Sequence, residues 1–244
     1  MSHLGGDYAI WIVVGALYVL DAARLLSPRE FLLCQAGRGR FAPTLDEAPF
    51  TLAGRVLAFG PLLRPDRAVF LLRWGGHWAD RVAVRAALDR LAEVSSALLL
   101  VRAVAIWSTA WLFVGGPALT FWLGPTLAIY ATMAAVYPAA PVAGLVLWLA
   151  RTRLRLSRRR IVGLVAEALV CPPCLANLVR KVTLAHAVEV DGARLALAVL
   201  EGERRERFWE RLQRRAEELI NEVGQDDPEG QRLSSYMATA RAAL

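Results

Sequence analysis

Residues 95–150 contain a single charged side chain, Arg102, and the run then ends in Arg151-Thr-Arg-Leu-Arg-Leu-Ser-Arg-Arg-Arg160. Only a lipid bilayer or a very large core removes an apolar stretch of that length from water. We read it as membrane. Hydrophobic residues make up 56% of the 244, and the charges are segregated into blocks, which argues against an ordinary soluble domain.

The formal net charge is +7, and 28 of the 29 basic residues are arginine, Lys181 being the exception. Such a bias is what the codon usage of a GC-rich bacterium produces. Arginines flanking apolar spans follow the positive-inside rule and attract anionic headgroups. Nucleic-acid binding would want a basic face interleaved with aromatics, and the chain carries no such pattern.

In chain order, residues 8–26 are apolar except for Asp21 and Arg24, and at 19 residues they reach just under about 30 Å as a helix, enough for one crossing. Residues 1–7 carry no arginine, whereas Arg24, Arg29, Arg38 and Arg40 follow. This predicts an N-terminus outside and a retained anchor over residues 1–28, without the basic start and cleavage site of a signal peptide. Over residues 29–74, runs of strand length (31–34, 50–52, 55–59 and 68–73) alternate with Gly and Pro turns, predicting a cytoplasmic β-unit of three to five strands. Residues 78–93 have the period of an amphipathic helix, which completes a segment over 29–94. His77, beside Gly75-Gly76, reads as a turn residue rather than a ligand.

The second span is expected over residues 95–114, turning outward at Gly115-Gly116-Pro117. The third is expected over 126–150, kinked near Pro138, with 118–125 as an interfacial cap; together they form a transmembrane hairpin over 95–150. Residues 151–244 should be an arginine-rich segment followed by a cytoplasmic helical module. Its longest helix, 201–223, shows Trp209, Leu212, Ala216, Leu219 and Val223 at alternating spacings of three and four. The fold class is therefore a mainly α membrane protein with about three transmembrane helices and a small β-unit.

Three groups of residues carry the chemistry this pattern allows. Asp21 and Arg102 lie at similar depth inside their spans, and intramembrane charge points to function by default, so an ion pair between them is one reading. Snorkelling of Arg102, with Asp21 paired to Arg24, is the other. Cys171-Pro-Pro-Cys174 is a candidate thiol pair, or half of a metal site with His186, but an apolar helical pattern precedes it where a redox motif would follow a strand. Prolines that stop one helix and start the next, with cysteines as small apolar residues, explain the motif without chemistry. Arg151, Arg153, Arg155, Arg158, Arg159 and Arg160 are candidate contacts to anionic headgroups.

No phosphate loop, zinc-protease or serine-hydrolase motif, or dinucleotide fingerprint occurs. These readings favour a non-catalytic protein of the bacterial inner membrane with a cytoplasmic C-terminus, acting as a scaffold or accessory subunit for a membrane or cytoplasmic protein, without a cofactor. A membrane-bound thiol-disulfide protein using Cys171 and Cys174, and an oligomeric channel or transporter subunit, are the alternatives.

Overall fold

A computed structural model of the chain describes residues 8–37, 39–44, 51–52, 55–224 and 226–242. The expectations placed on residues 1–7, Arg38 and Phe50 lie outside these. In chain order the elements are helix α1 (Ala9–Ala22), strands β1 (Ala23–Leu26), β2 (Glu30–Gly37), β3 (Arg40–Thr44), β4 (Thr51–Leu52), β5 (Arg55–Phe59) and β6 (Val69–Arg73), then helices α2 (Arg81–Ala97) and α3 (Leu99–Ala110). A π-helical turn (Trp111–Gly115) leads into α4 (Gly116–Leu123), α5 (Pro125–Val136), α6 (Ala139–Leu149) and α7 (Arg151–Leu154). There follow α8 (Arg158–Val170), α9 (Pro172–Ala176), α10 (Leu178–Leu184), α11 (Gly192–Val199), α12 (Gly202–Val223) and α13 (Pro228–Ala242). The protein is thus mainly helical with a small sheet component, and its residues divide into two compact units.

The first unit gathers α1, Pro61–Ala68 and Glu93–His186. Two continuous helical stretches in it, Leu99–Leu123 and Pro125–Leu149, are each 25 residues of apolar sequence, long enough to cross a membrane. Only 28% and 33% of their most apolar windows are buried. Leu99, Leu100, Val114, Trp122, Leu127, Tyr130, Leu145 and Leu149 all point outward. The inward stripe is made of small side chains, such as Ala105 and Ser108 on α3 and Ala128 and Thr132 on α5, which let helices approach closely.

The expected outward turn at Gly115-Gly116-Pro117 is not there. The wider π turn, closed by the Gly116 N–H donating to the Trp111 carbonyl, carries the helix past Pro117, whose missing N–H costs little near the start of α4. The break falls instead at Gly124, in a conformation (φ 79°) that glycine adopts without strain, and Pro125 opens the next helix. Residues 118–123 therefore extend the second apolar helix rather than capping it. A two-residue turn at Tyr137 and Pro138, between α5 and α6, falls where the kink was expected.

The first apolar segment is also shorter than expected. Helix α1 has 14 residues, about 21 Å long, and residues 23–26 leave it to pair as a strand with β5. Trp11 anchors it: the indole Nε1 donates to Thr120 Oγ1 at 2.8 Å, and the ring lies where a Cβ on Gly116 would come within 2.2 Å. Gly116→Ala is therefore expected to cost about 1–3 kcal/mol by forcing the helices apart. Thermal unfolding in detergent measures this, and an unchanged midpoint would mean that the Trp11 ring is free to yield.

The second unit comprises Arg24–Gly60, Val69–Ala92 and Ala187–Leu244. The helical module expected over 151–244 is thus divided at Ala187, because α8, α9 and α10 pack on the apolar helices of the first unit, with Val165 of α8 against Gly144 of α6. Two three-stranded sheets, β1-β5-β4 and β3-β2-β6, form the β-unit. Strand β2 is central and antiparallel to both neighbours, with Leu33 opposite Pro43 on one side and Phe70 on the other. Phe31, Leu32 and Leu33 are all buried, so both faces of β2 are covered and its sequence does not alternate. The ring of Phe208 from α12 meets Phe31 edge-on at 5.6 Å, and Phe41 meets Phe70 at 5.9 Å. The buried stripe of α12 is Phe208, Leu212 and Ala216; of the expected seam, Val223 is exposed.

Candidate functional site

A polar cluster of the first unit lies where α1, α8, α9 and α10 converge. Three sequence choices build it. Pro172 and Pro173 end the helical run of α8 and open α9, leaving Cys171 extended at the cap. Asn177 interrupts what would be one apolar helix, so α9 stops and α10 restarts with Arg180 and Lys181 on its buried side. Asp21 stands one residue from the end of α1 and faces them.

Lys181 bridges two acids. Its Nζ is 2.6 Å from Asp21 Oδ1 and 2.6 Å from Glu167 Oε1, with its own side chain only 9% exposed. Asn177 Nδ2 donates to Asp21 Oδ2 and to the Tyr18 carbonyl, both at 3.0 Å, while its Oδ1 accepts from Arg180 Nη1 at 2.9 Å. Arg180 Nη2 reaches the Pro61 carbonyl at 3.2 Å, and the Tyr18 hydroxyl donates to the Leu62 carbonyl. Two carboxylates balance two cations, so the cluster is close to neutral. Burial alone would lower the Lys181 pKa, yet the two acids outweigh it and hold the ammonium above its ordinary value.

This geometry corrects the ion pair read from the sequence. Asp21 pairs with Lys181 of α10 instead of Arg102, and Arg102 Nη2 donates to Ser95 Oγ, two turns back toward the N-terminus, at 2.6 Å. Equal depth in two spans placed Asp21 and Arg102 level with one another, but α9 and α10 lie against α1 and α3 and supply a nearer cation. Lys181, Glu167, Asn177 and Arg180 escaped the sequence reading. The available signal was the one lysine of an arginine chain, next to Asn177 and Arg180 in an otherwise apolar run.

Cys171 and Cys174 are brought into the same cluster as free thiols, with the Cys174 N–H donating to the Cys171 carbonyl at 2.8 Å. Burial, then the neighbouring Cys171 side chain and the nearby Asp21 charge, push the Cys174 thiol well above the usual cysteine range. A thiol redox motif needs the opposite, a thiolate stabilised near neutral pH. Alkylation of the native protein at pH 7.5 is expected to label Cys174 at least about tenfold more slowly than Cys171, with the difference vanishing in denaturant. Equal native rates, read by mass spectrometry, would restore the pair as a reactive site.

The donor atoms of Asp21, Glu167 and Cys174 lie within 4.8 Å of one another, a set able to hold a metal ion. The Lys181 ammonium already stands against both carboxylates, and the raised Cys174 thiol resists becoming a ligand. Among the described residues neither His77 nor His186 joins this group.

The arginine cluster falls on α7, the turn after it, and the start of α8. Arg153, Arg155, Arg158, Arg159 and Arg160 are exposed, whereas Arg151 is half-buried; its guanidinium and that of Arg158 lie 4.6 and 5.5 Å from the Trp148 ring centre. Ser157 caps α8 by accepting from the Arg160 N–H. Three arginines in the first turn oppose the helix dipole, so their placement does not serve helix stability.

Compared with known protein families, curated proteins and solved structures, the chain matches none.

Proposed function

We propose that this chain is a non-catalytic integral protein of the bacterial inner membrane that holds its second unit in the cytoplasm and presents it to a protein partner. The observation that carries the reading is the outward apolar surface of Leu99–Leu123 and Pro125–Leu149: helices of a soluble core are mostly buried, and about two thirds of these windows are not. Helix α1, though short, belongs with them, since Ile12, Val13 and Leu20 also face outward. With α1 read as a third and shorter crossing, the N-terminus lies outside.

Arginines at the start of α8, where the helix dipole repels them, are offset by anionic headgroups on the cytoplasmic side. A polar cluster whose charges are mutually neutralised supports a structural use of Asp21, Glu167 and Lys181 over an ion-coupled one. The raised Cys174 thiol weighs in the same direction.

The test is an affinity pull-down of the tagged full chain from gently solubilised membranes, with Cys171→Ser/Cys174→Ser alongside. A stoichiometric partner retained by both forms is the expected result. Absence of any stoichiometric partner overturns the scaffold reading, and a partner lost with the cysteines or trapped as a mixed disulfide replaces it with a thiol protein.

A further inference from the structure

The second unit carries an open groove of about 1240 Å³ between strand β3 and helix α12. Arg40, Arg204, Arg207 and Arg211 line it against one acid, Glu201. Arg204, Arg207 and Arg211 recur at the three- and four-residue spacing that puts them on one face of α12, and the same face contributes Phe208 to the floor. Arg207 is paired with Glu203 at 3.3 Å; Arg40 and Arg204 are exposed and form no hydrogen bond or ion pair with described residues. Beneath the arginines the floor is apolar, formed by Phe41, Phe208 and Leu200.

We propose that this groove binds an acidic segment of a protein partner, with carboxylates set about three residues apart. The proposal rests on the scaffold reading and names the surface through which it operates. The volume exceeds the 300–1,000 Å³ or so of a small-molecule pocket and suits several residues of peptide. From Arg204 to Arg211 the helix rises about 10.5 Å, which an extended chain covers in about three residues.

A lipid headgroup concentrates its charge at one point, whereas these arginines are spread along the groove. Single-stranded nucleic acid would need aromatic rings open for stacking, and Phe41 and Phe208 are buried. Pro43 on the outer strand β3 lacks the N–H that an added strand would use, so recognition falls to the arginine side chains.

The experiment pans a random decapeptide display library on the full chain in zwitterionic nanodiscs, beside Arg40→Glu/Arg204→Glu and Arg40→Gln/Arg204→Gln. Enrichment of peptides with acids three apart is expected. Their affinity should fall at least tenfold in the Glu variant, less in the Gln variant, and decline with salt. No enrichment, or enriched peptides that bind the Glu variant equally, overturns the proposal. So does loss of flotation with anionic vesicles in the Glu variant without any peptide enrichment, which would make the groove a lipid site. A native partner still captured by the Glu variant sinks the groove alone, while capture of no partner by the wild-type chain sinks the scaffold reading.

Discussion

Replacing Lys181 with methionine is expected to destabilise the first unit by about 3 kcal/mol, because Asp21 is left as a buried carboxylate whose cation has gone. Glu167 contributes less to this loss, since its side chain is 48% exposed and can turn to water. Asn177 still donates to Asp21 in the variant, but one neutral hydrogen bond does not replace an ammonium at 2.6 Å. Adding Asp21→Asn to Lys181→Met should recover most of the loss by removing the stranded charge. Thermal unfolding in detergent checks both variants. A double variant no better than Lys181→Met would mean that the lysine acts through packing rather than charge. Exchanging Asp21 with Arg102 by the swap Asp21→Arg/Arg102→Asp should rescue nothing, since those two groups are not partners.

Asp191→Ala should cost the second unit roughly 3 kcal/mol. Asp191 caps α11: its Oδ1 accepts from the Arg194 N–H at 3.1 Å and from the buried Tyr236 hydroxyl at 2.8 Å, and its Oδ2 accepts from the Gly76 N–H at 3.2 Å. Truncation orphans all three donors at once and removes a helix cap. Asp191→Asn should be milder, because an amide can keep the Oδ1 bonds while its NH₂ meets the Gly76 N–H.

Burial is the largest influence on the Asp191 carboxyl and raises its pKa despite those three donors. A carboxyl whose folded pKa lies above its unfolded value binds more protons when folded, so its contribution is fully present below the unfolded value, about 3.9, and is lost as pH rises through the folded one. The stability of wild type relative to Asp191→Asn is therefore expected to fall as pH climbs from about 4. Denaturant titrations across that range measure it, and a rising difference would reverse the sign assigned to burial.

Where the sequence is periodic or punctuated, the elements were legible. Strand β5 falls on the run read at 55–59, α2 on the amphipathic stretch, and α12 within a residue of its expected limits. Strand β3 was missed because Pro43 and the glycines around it look like a turn, and only the pairing of Leu33 with Pro43 makes an outer strand of it. Gly115-Gly116-Pro117 looked like a turn for the same reason. Whether glycine and proline break a helix depends on what packs there, and here the Trp11 ring occupies the space that a glycine leaves.

The candidate site was legible by composition and not by partner. Asp21, Cys171 and Cys174 stood out as polar or reactive groups in apolar runs, but the cation that neutralises Asp21 comes from 160 residues along the chain. Hydropathy and charge, which are properties of local stretches, were enough to mark the apolar helices, the strand region and the arginine border. Pairing is a property of space: the return of α8 along α6 and the break at Asn177 bring Lys181 to Asp21, and no spacing in the sequence encodes that distance. The groove between β3 and α12 has the same origin, because its arginines come from positions 40 and 204–211, which only the tertiary fold makes neighbours.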